Sequence, residues 1–359
     1  MNENKVRADE PVGVREGEEL DPVRLREFLS ANLPGISGDI EVKQFPGGFS
    51  NLTYLVKTLS REMILRRPPF GKKAKTAHDM SREFKILTAL KPLFRWCPEP
   101  LVYSEDESVM GSPFYIMERM KGVILRKNLP EGVVLAPAEA RKLSENLIKV
   151  LAGLHSVDYR AAGLADFGKP EGYVERQVKG WSGRYIDART EDAPAFDGVM
   201  RWLADKMPPE SEKVSVIHND YKYDNAVLSP DDLTEITGIL DWEMATIGDP
   251  LMDLGCSLAY WVEKDDPQNL QMIRQMPTNV DGMLTRKEQV KLYGDLTGIH
   301  IGSFDFYYCF GLFRLAVIAQ QIYYRYFHGQ TKDQRFKMLI HAVKILEDAA
   351  LKVIEKTDL

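Results

Sequence analysis

The sequence predicts an α+β protein in two parts, a small lobe built on a sheet and a larger, mainly helical lobe. Three observations predict it. Residues 41–66 read as three short strands separated by turns, and residues 76–119 as a helix followed by two more strands. From Pro137 onward helical spacing takes over, with Leu143, Leu147, Leu151 and Leu154 in step. Between these stretches, at Lys121-Gly122, an irregular glycine-containing segment breaks the pattern. The division is therefore placed as a disordered acidic tail over 1–19, a small lobe over 20–121 and a large lobe over 122–359.

Each element has a local reason. Asp21-Pro22 is a helix start, an acceptor at the cap followed by proline in the first turn. Leu25, Phe28, Leu29 and Leu33 then follow helical spacing until Pro34-Gly35. Glu41–Phe45 alternates as a strand, Pro46–Asn51 is a turn, and Leu52–Thr58 returns. Glu62–Arg66 is a third strand ended by Pro68-Pro69, and Phe70–Lys75 is a basic loop. Thr76–Leu90 places Met80, Phe84, Leu87 and Leu90 on one helical face. Leu101–Glu105 and Pro113–Arg119 complete the sheet. Ala138–His155 is the first helix of the large lobe, and helices dominate after Pro250.

Bulk properties narrow the class. A chain of 359 residues with 44% apolar content can bury a large core. A net charge of −6 argues against nonspecific nucleic-acid binding, which needs a basic surface. Three scattered cysteines, Cys97, Cys256 and Cys309, form no CxxC pair, and the six histidines lack metal spacing. The expected compartment is a reducing cytoplasm, with no apolar leader at Met1–Glu19. Phe306–Phe327 is interrupted by Arg314, Gln320, Gln321 and Arg325, so it reads as a buried helix rather than a membrane span.

The chemistry is concentrated in two segments. His218-Asn219-Asp220 lies five residues before Asn225, and Ile239-Leu240-Asp241 ends the next apolar run. Phosphoryl transfer from a nucleotide needs one carboxylate to orient and deprotonate a hydroxyl, and an Asn and an Asp to hold magnesium on the phosphates. The spacing matches the H-x-D-x-x-x-x-N of kinase catalytic loops, with Asp241 where D-F-G begins. Asp220 is thus the candidate base, and Asn225 and Asp241 the candidate metal ligands. Lys222 is placed to neutralise charge on the transferred group. Gly47, Gly48, Ser50 and Asn51 sit in a strand–turn–strand context that suits a phosphate loop, since glycine lets backbone N–H groups approach; a plain hairpin would show the same residues.

Onward from Asp241, the run Trp242-Glu243 and then Gly248-Asp249-Pro250-Leu251-Met252-Asp253-Leu254 resembles the aminoglycoside phosphotransferase family, small-molecule relatives of protein kinases. The likeness runs from about Leu20 to about Glu355. His218-Asn219-Asp220-Tyr221-Lys222, Leu65-Arg66-Arg67-Pro68-Pro69 and Tyr115-Ile116-Met117-Glu118 make it most similar to the kinase-like domain joined to acyl-CoA dehydrogenases. The resemblance implies a bilobal protein-kinase-like fold, with nucleotide in the small lobe and catalytic and acceptor groups in the large one. It implies ATP and Mg2+ as cofactors and a small-molecule hydroxyl as acceptor, with no nucleic-acid or membrane partner and a functional link to an acyl-CoA dehydrogenase. Arg66 then stands where a kinase carries its strand-3 lysine, with Glu83 as its ion-pair partner. The backbone of Glu118 and Met120 would face adenine. His218 is expected to fix the loop from below, Asp253 to accept its N–H groups, and Asp249 to be a cap or turn residue. Arg67, on the opposite face of the strand from Arg66, is expected to be a surface charge.

The acceptor is the open point. Tyr173, Arg176, Gln177, Trp181, Arg184, Arg314, Gln321 and Tyr324 either line its pocket or simply pack helices, and packing is favoured. Lys72, Lys73 and Lys75, with Arg176, Arg184 and Arg314, suit an anionic acceptor such as a hydroxyacyl-CoA or hydroxy acid. An aminoglycoside or amino-alcohol acceptor would want an acidic pocket, and after Gly255 only Glu263–Asp266 offers one, as a surface turn. A catalytically inactive nucleotide-binding module is the alternative of another class.

Overall fold

The computed structural model describes residues 10–45, 51–69, 79–211 and 213–359. The chain divides into two compact units, one of Met1–Ile124 with Asn225–Ala245 and one of Leu125–Asp224 with Thr246–Leu359.

The first unit opens with helix α1 (Pro22–Asn32), whose N-cap Asp21 accepts from the N–H groups of Val23 and Arg24. Strands β1 (Glu41–Gln44), β2 (Leu52–Lys57) and β3 (Glu62–Arg67) follow, then α2 (Met80–Leu90), β4 (Pro100–Ser104), the short α3 (Glu107–Met110) and β5 (Phe114–Glu118). The strands form one antiparallel sheet in the order β1-β2-β3-β5-β4. Period-2 alternation sorts its side chains. Leu25 and Leu29 of α1 pack with Tyr54, Val56, Met63, Leu65, Phe114 and Ile116 on one face. Arg66, of the other parity, has α2 for a neighbour.

Two expectations change here. Residues 10–19 are not a free tail. Val12 bridges Gln44 through N–H···O=C bonds of 2.8 and 2.9 Å, the Gln44 amide donates to Glu18 at 2.6 Å, and Tyr54 donates to the Glu18 carbonyl at 2.7 Å. The cause is the open edge of β1, whose unpaired backbone groups accept another segment whatever its side chains. Residues 1–9 lie outside the described residues. Arg67 is not a surface charge either. It is 2% exposed, and its guanidinium donates to the Met110 carbonyl at 2.7 Å and the Pro68 carbonyl at 3.1 Å. Alternation put it on Leu65's face correctly; what alternation could not say is that α1 and α3 cover that face.

The first unit also takes back a hairpin from later in the chain, β7 (Ala226–Leu228) and β8 (Ile236–Ile239). The strands that flank it in sequence, β6 (Ser215–Ile217) and β9 (Thr246–Gly248), belong to the second unit. Val123 and Leu228 exchange backbone bonds of 2.9 and 2.8 Å, and Ile239 donates to the Trp96 carbonyl at 2.7 Å. A Cβ at position 122 would overlap the Leu228 carbonyl, so Gly122 is what permits this approach. The boundary thus falls at Ile124 rather than 121, and it is interrupted.

The second unit is built on helices α4 (Pro137–His155), α5 (Tyr173–Ala188), α6 (Asp197–Asp205), α7 (Pro250–Ala259), α8 (Gln268–Ile273), α9 (Arg286–Thr297), α10 (Asp305–Phe327) and α11 (Leu339–Lys356). Helix α10, the expected buried aromatic helix, packs on α5, α7 and α11. Gly255 of α7 and Gly311 of α10 meet backbone to backbone, which brings α7 close. Antiparallel β6 and β9 lead into and out of the two chemical segments. Among the described residues no helix is long and apolar enough to cross a membrane. All three cysteines are buried and unpaired by disulfides.

Candidate active site

In the first unit, Arg66 gathers three carboxylates. It pairs with Glu83 of α2, with Asp241 at 3.0 Å and with Glu243 at 3.4 Å. Arg66 and Glu83 are nearly inaccessible, whereas the carboxylates of Asp241 and Glu243 keep 35% and 21% of their exposure. Burial alone would lower the pKa of Arg66; Glu83, Tyr115, Asp241 and Glu243 outweigh it, so the guanidinium stays charged. Burial pushes the Glu83 carboxyl up, against the pull of Arg66.

Asn225 and Asp241 meet because of hairpin register. Ala226 pairs with Ile239 and the Leu240 N–H donates to the Asn225 carbonyl at 2.8 Å, so both candidate ligands leave the same end of the β7–β8 ladder. Asp241 has φ of 66° and precedes a single 3-10 turn, Trp242–Met244. That conformation costs energy for a residue with a Cβ and persists only where its surroundings hold it. Here Trp242 anchors the turn. It is 1% exposed, donates to the Ile239 carbonyl at 2.8 Å and meets Phe94 edge-on. The donor set fits a hard divalent cation carried on phosphates. Three carboxylates face one guanidinium, which leaves negative charge in surplus, and magnesium is usually bound through one or two carboxylates plus the substrate's own oxygens.

The other nucleotide candidates have mixed placements. Gly47, Gly48 and Ser50 lie outside the described residues, as do Lys72, Lys73 and Lys75. Asn51 is 3% exposed and donates to Glu243 at 2.8 Å. The Glu118 N–H is committed to the Glu99 carbonyl at 2.8 Å, and its carboxylate to Lys91 at 3.1 Å. Met120 packs its thioether where a Cβ on Gly238 would stand, so its side chain has a packing task as well.

In the second unit, the Asp220 loop is fixed from beneath. Asp253, fully buried on α7, accepts from the N–H groups of His218 and Asn219, both at 2.7 Å, and from His155 Nε2 at 3.1 Å. Tyr293 Oη lies 2.7 Å from His155 Nδ1. Burial would raise the Asp253 pKa; bonds from His155 and His218 more than offset it and hold the carboxyl below its usual range. His218, 0% exposed, accepts the Asp220 N–H at 3.2 Å, and Asn219 takes φ of 64°. Asp249 is the cap of α7, accepting from Leu251 and Met252.

Above that scaffold, Asp220 is held by Lys222, whose ammonium lies 2.7 Å from both carboxylate oxygens. Tyr260 sits 3.5 Å from the same carboxylate and places its ring 4.7 Å under the ammonium. Burial would lower the Lys222 pKa, but Tyr260 and Asp220 carry it above its ordinary value. Arg314 is 3% exposed and stacks on Trp181 at 5.0 Å, with Arg184 4.6 Å from the same ring. Burial opposes its charge, while Cys256, Tyr260 and Asp220 support it. Other members of the expected acceptor cluster are used locally. Arg176 donates to the carbonyls of Lys169 and Glu171, and Gln177 accepts from Trp181 at 3.1 Å. Gln320 rather than Gln321 is the buried amide. Glu263 and Asp266 are not a free acidic turn, since both pair with Arg286.

Sequence reasoning passed over Glu243, Tyr260 and His155. Glu243 had a signal, the third letter of Asp241-Trp242-Glu243. The other two had none, being distant in sequence from what they touch.

This site and fold define a class, the kinase-like phosphotransferases. The profile of the phosphotransferase enzyme family (APH) matches residues 41–286, and the chain belongs to that family. It is a small-molecule phosphotransferase of α+β, protein-kinase-like fold. It is 32% identical over 343 residues to rat acyl-CoA dehydrogenase family member 11, covering 93% of this chain and 43% of that protein. The chain therefore spans less than half of that relative. A putative aminoglycoside phosphotransferase from Ralstonia eutropha JMP134 superposes with a TM-score of 0.81 at 30% identity, covering 95% of this chain and 100% of that one. The GDP and kanamycin complex of APH(2")-IIia shares the fold at a TM-score of 0.62 and 16% identity, covering 92% and 99%.

Proposed function

We propose that this protein transfers a phosphoryl group from ATP, with magnesium, to a hydroxyl of a small anionic molecule, a hydroxyacyl-CoA or related hydroxy acid. The observation that carries the acceptor class is the surrounding of Asp220. Lys222 binds it directly, and in the same unit Arg314 is a buried cation stacked on Trp181, its charge supported against burial by Cys256, Tyr260 and Asp220. A polycationic acceptor would meet like charge there; an anionic one meets attraction. The relatedness to acyl-CoA dehydrogenase family member 11 supports a thioester acceptor and a functional link to such a dehydrogenase.

In this reading Asp220 orients the acceptor hydroxyl and takes its proton as the new O–P bond forms. For that, Lys222 must move from Asp220 toward the phosphoryl oxygens, where its charge counts in the transition state. Arg66, fixed by Glu83, chelates phosphate oxygens of the nucleotide. Asn225 and Asp241 would hold magnesium, which supplies charge neutralisation on the phosphates. The backbone of Glu118 and Met120 would lie against adenine, without the Glu118 N–H, which is committed to the Glu99 carbonyl.

The test is ATP consumption by purified protein against hydroxyacyl-CoAs, hydroxy acids, amino alcohols, sugars and kanamycin. A 3- or 4-hydroxyacyl-CoA is expected to stimulate turnover, less so as salt rises, because part of the attraction is screened charge. Phosphorylation of kanamycin with none of any hydroxyacyl-CoA would replace this reading by the antibiotic-kinase one. Nucleotide binding without turnover on any acceptor would favour an inactive module.

A further inference from the structure

Glu243 is assigned no task by the reaction as drawn above, yet it is the residue that ties the nucleotide-facing groups of the first unit together. Its Oε2 accepts from two donors at once, Asn51 Nδ2 at 2.8 Å and Arg66 NH2 at 3.4 Å. Asn51 immediately precedes β2, and Arg66 lies on β3 opposite Thr53. Glu243 is itself held still. It sits in the turn anchored by buried Trp242, which Ala245 closes by donating to the Trp242 carbonyl at 3.0 Å, and Arg82 of α2 donates to the Ala245 carbonyl at 3.1 Å. One carboxylate oxygen thus joins three parts of the unit: the start of β2, the arginine on β3, and the turn after Asp241.

We propose that Glu243 is a positioning residue for nucleotide binding, which aims the Arg66 fork and sets the start of β2, and that it acts without ligating metal. The proposal rests on the reading that this unit binds a magnesium nucleotide. Two arguments favour positioning over ligation. The oxygen in question already accepts two N–H donors. The guanidinium has two separate jobs for its nitrogens: NH1 is spent on Glu83, so NH2, shared by Asp241 and Glu243, is the end whose direction Glu243 sets. When phosphates draw NH2 toward themselves, Asp241 is released for metal while Glu243 still holds Asn51.

The test separates charge from shape. Glu243→Gln keeps an amide oxygen for Asn51 and loses the charge; Glu243→Ala loses both. Binding of a fluorescent ADP without magnesium and of MgATP is measured directly, alongside KM, kcat and the magnesium dependence of turnover. Glu243→Ala is expected to weaken both nucleotides by about tenfold, the scale of one charge-assisted hydrogen bond. The magnesium concentration for half-maximal turnover stays unchanged, and Glu243→Gln recovers binding to within about threefold of wild type. Adding Asn51→Ala to Glu243→Ala costs little more, since the pair acts as one unit. If Glu243→Gln is as poor as Glu243→Ala and needs more magnesium, Glu243 is a metal ligand and the proposal is wrong. Unchanged nucleotide binding in Glu243→Ala, with wild type binding normally, would also overturn it. Wild-type protein that binds neither ADP nor MgATP would instead overturn the nucleotide reading, and this role with it. If Glu243→Ala fails to fold, Glu243→Gln and Asn51→Ala carry the same comparison.

Discussion

Arg66 and Asp220 are both held by opposite charge, but the balance differs. Around Arg66 three carboxylates share one guanidinium. Around Asp220 one carboxylate meets one ammonium directly. The first arrangement has anions in surplus and stays partly open at Asp241; the second is closed on itself. A surplus of buried or half-buried anions is costly unless a cation completes it, which is what the proposed metal nucleotide would bring. If Asp220 is the base of the proposed reaction, Lys222 would have to leave it before it could act. The two units thus differ in charge balance, the first short of positive charge around Arg66 and the second neutralised at Asp220.

The contrast breaks most sharply at the two aspartates. Asp220→Asn keeps the shape and removes the base, so turnover should fall by about 10²–10⁴-fold with nucleotide affinity nearly unchanged. Asp241→Ala should do the reverse in binding, abolishing the magnesium dependence of ATP affinity in calorimetry, because charge compensation is lost where anions were needed. Near-normal turnover in the first variant, or equal metal dependence in the second, would remove the distinction between the units.

Next in size is the scaffold under the Asp220 loop. Asp253→Asn leaves His155 and two loop N–H groups short of a charged acceptor, and losing a hydrogen bond to a charged group costs about 1.5–3 kcal/mol. The pH dependence has a definite sign. The Asp253 carboxyl is held below its usual range, so in acid the unfolded chain binds its proton first. Its contribution is complete above the unfolded value of about 4 and fades as pH falls through the folded one. Urea unfolding between pH 3 and 7 should show that acid slope in wild type and a flatter one in Asp253→Asn. An unchanged slope would mean the carboxylate is not what fixes the loop.

Much of this was legible because it is local. Asp220, Asn225 and Asp241 lie within one short stretch, and Asp249 reads as a cap before Pro250; Asp253 as loop acceptor came from the family resemblance, and the structure shows it accepting from His218 and Asn219. Arg66 and Glu83, 17 residues apart on neighbouring elements, were also paired on paper, and the structure brings them together. What escaped depends on distant chain. Asn51 and Glu243 are 192 residues apart, and His155 and Asp253 are 98 apart. No periodicity carries such a pairing. The β7–β8 hairpin joins the first unit through Val123 and Trp96, contacts that neither segment signals alone. Residues 10–19 read as a tail because their side chains are polar, whereas the bonds that hold them are largely backbone bonds.

Arg67 is the smallest and cleanest test of how faces are used. It adjoins Arg66 in β3, yet it serves packing rather than charge: its buried guanidinium donates to two backbone carbonyls, and burial lowers its pKa. Arg67→Met keeps most of the volume and removes a desolvated charge, which by itself is often neutral or favourable. It also leaves the Met110 and Pro68 carbonyls without that donor, at about 1–3 kcal/mol if no water replaces it. The net expectation is a modest loss of stability, at most about 3 kcal/mol in urea unfolding, with nucleotide affinity unchanged. The same substitution one residue earlier, Arg66→Met, should remove most nucleotide affinity, because it exposes Glu83, Asp241 and Glu243 to one another. If Arg67→Met weakened nucleotide binding as Arg66→Met does, the two faces of β3 would not be separate, and the assignment of phosphate contact to Arg66 alone would fall.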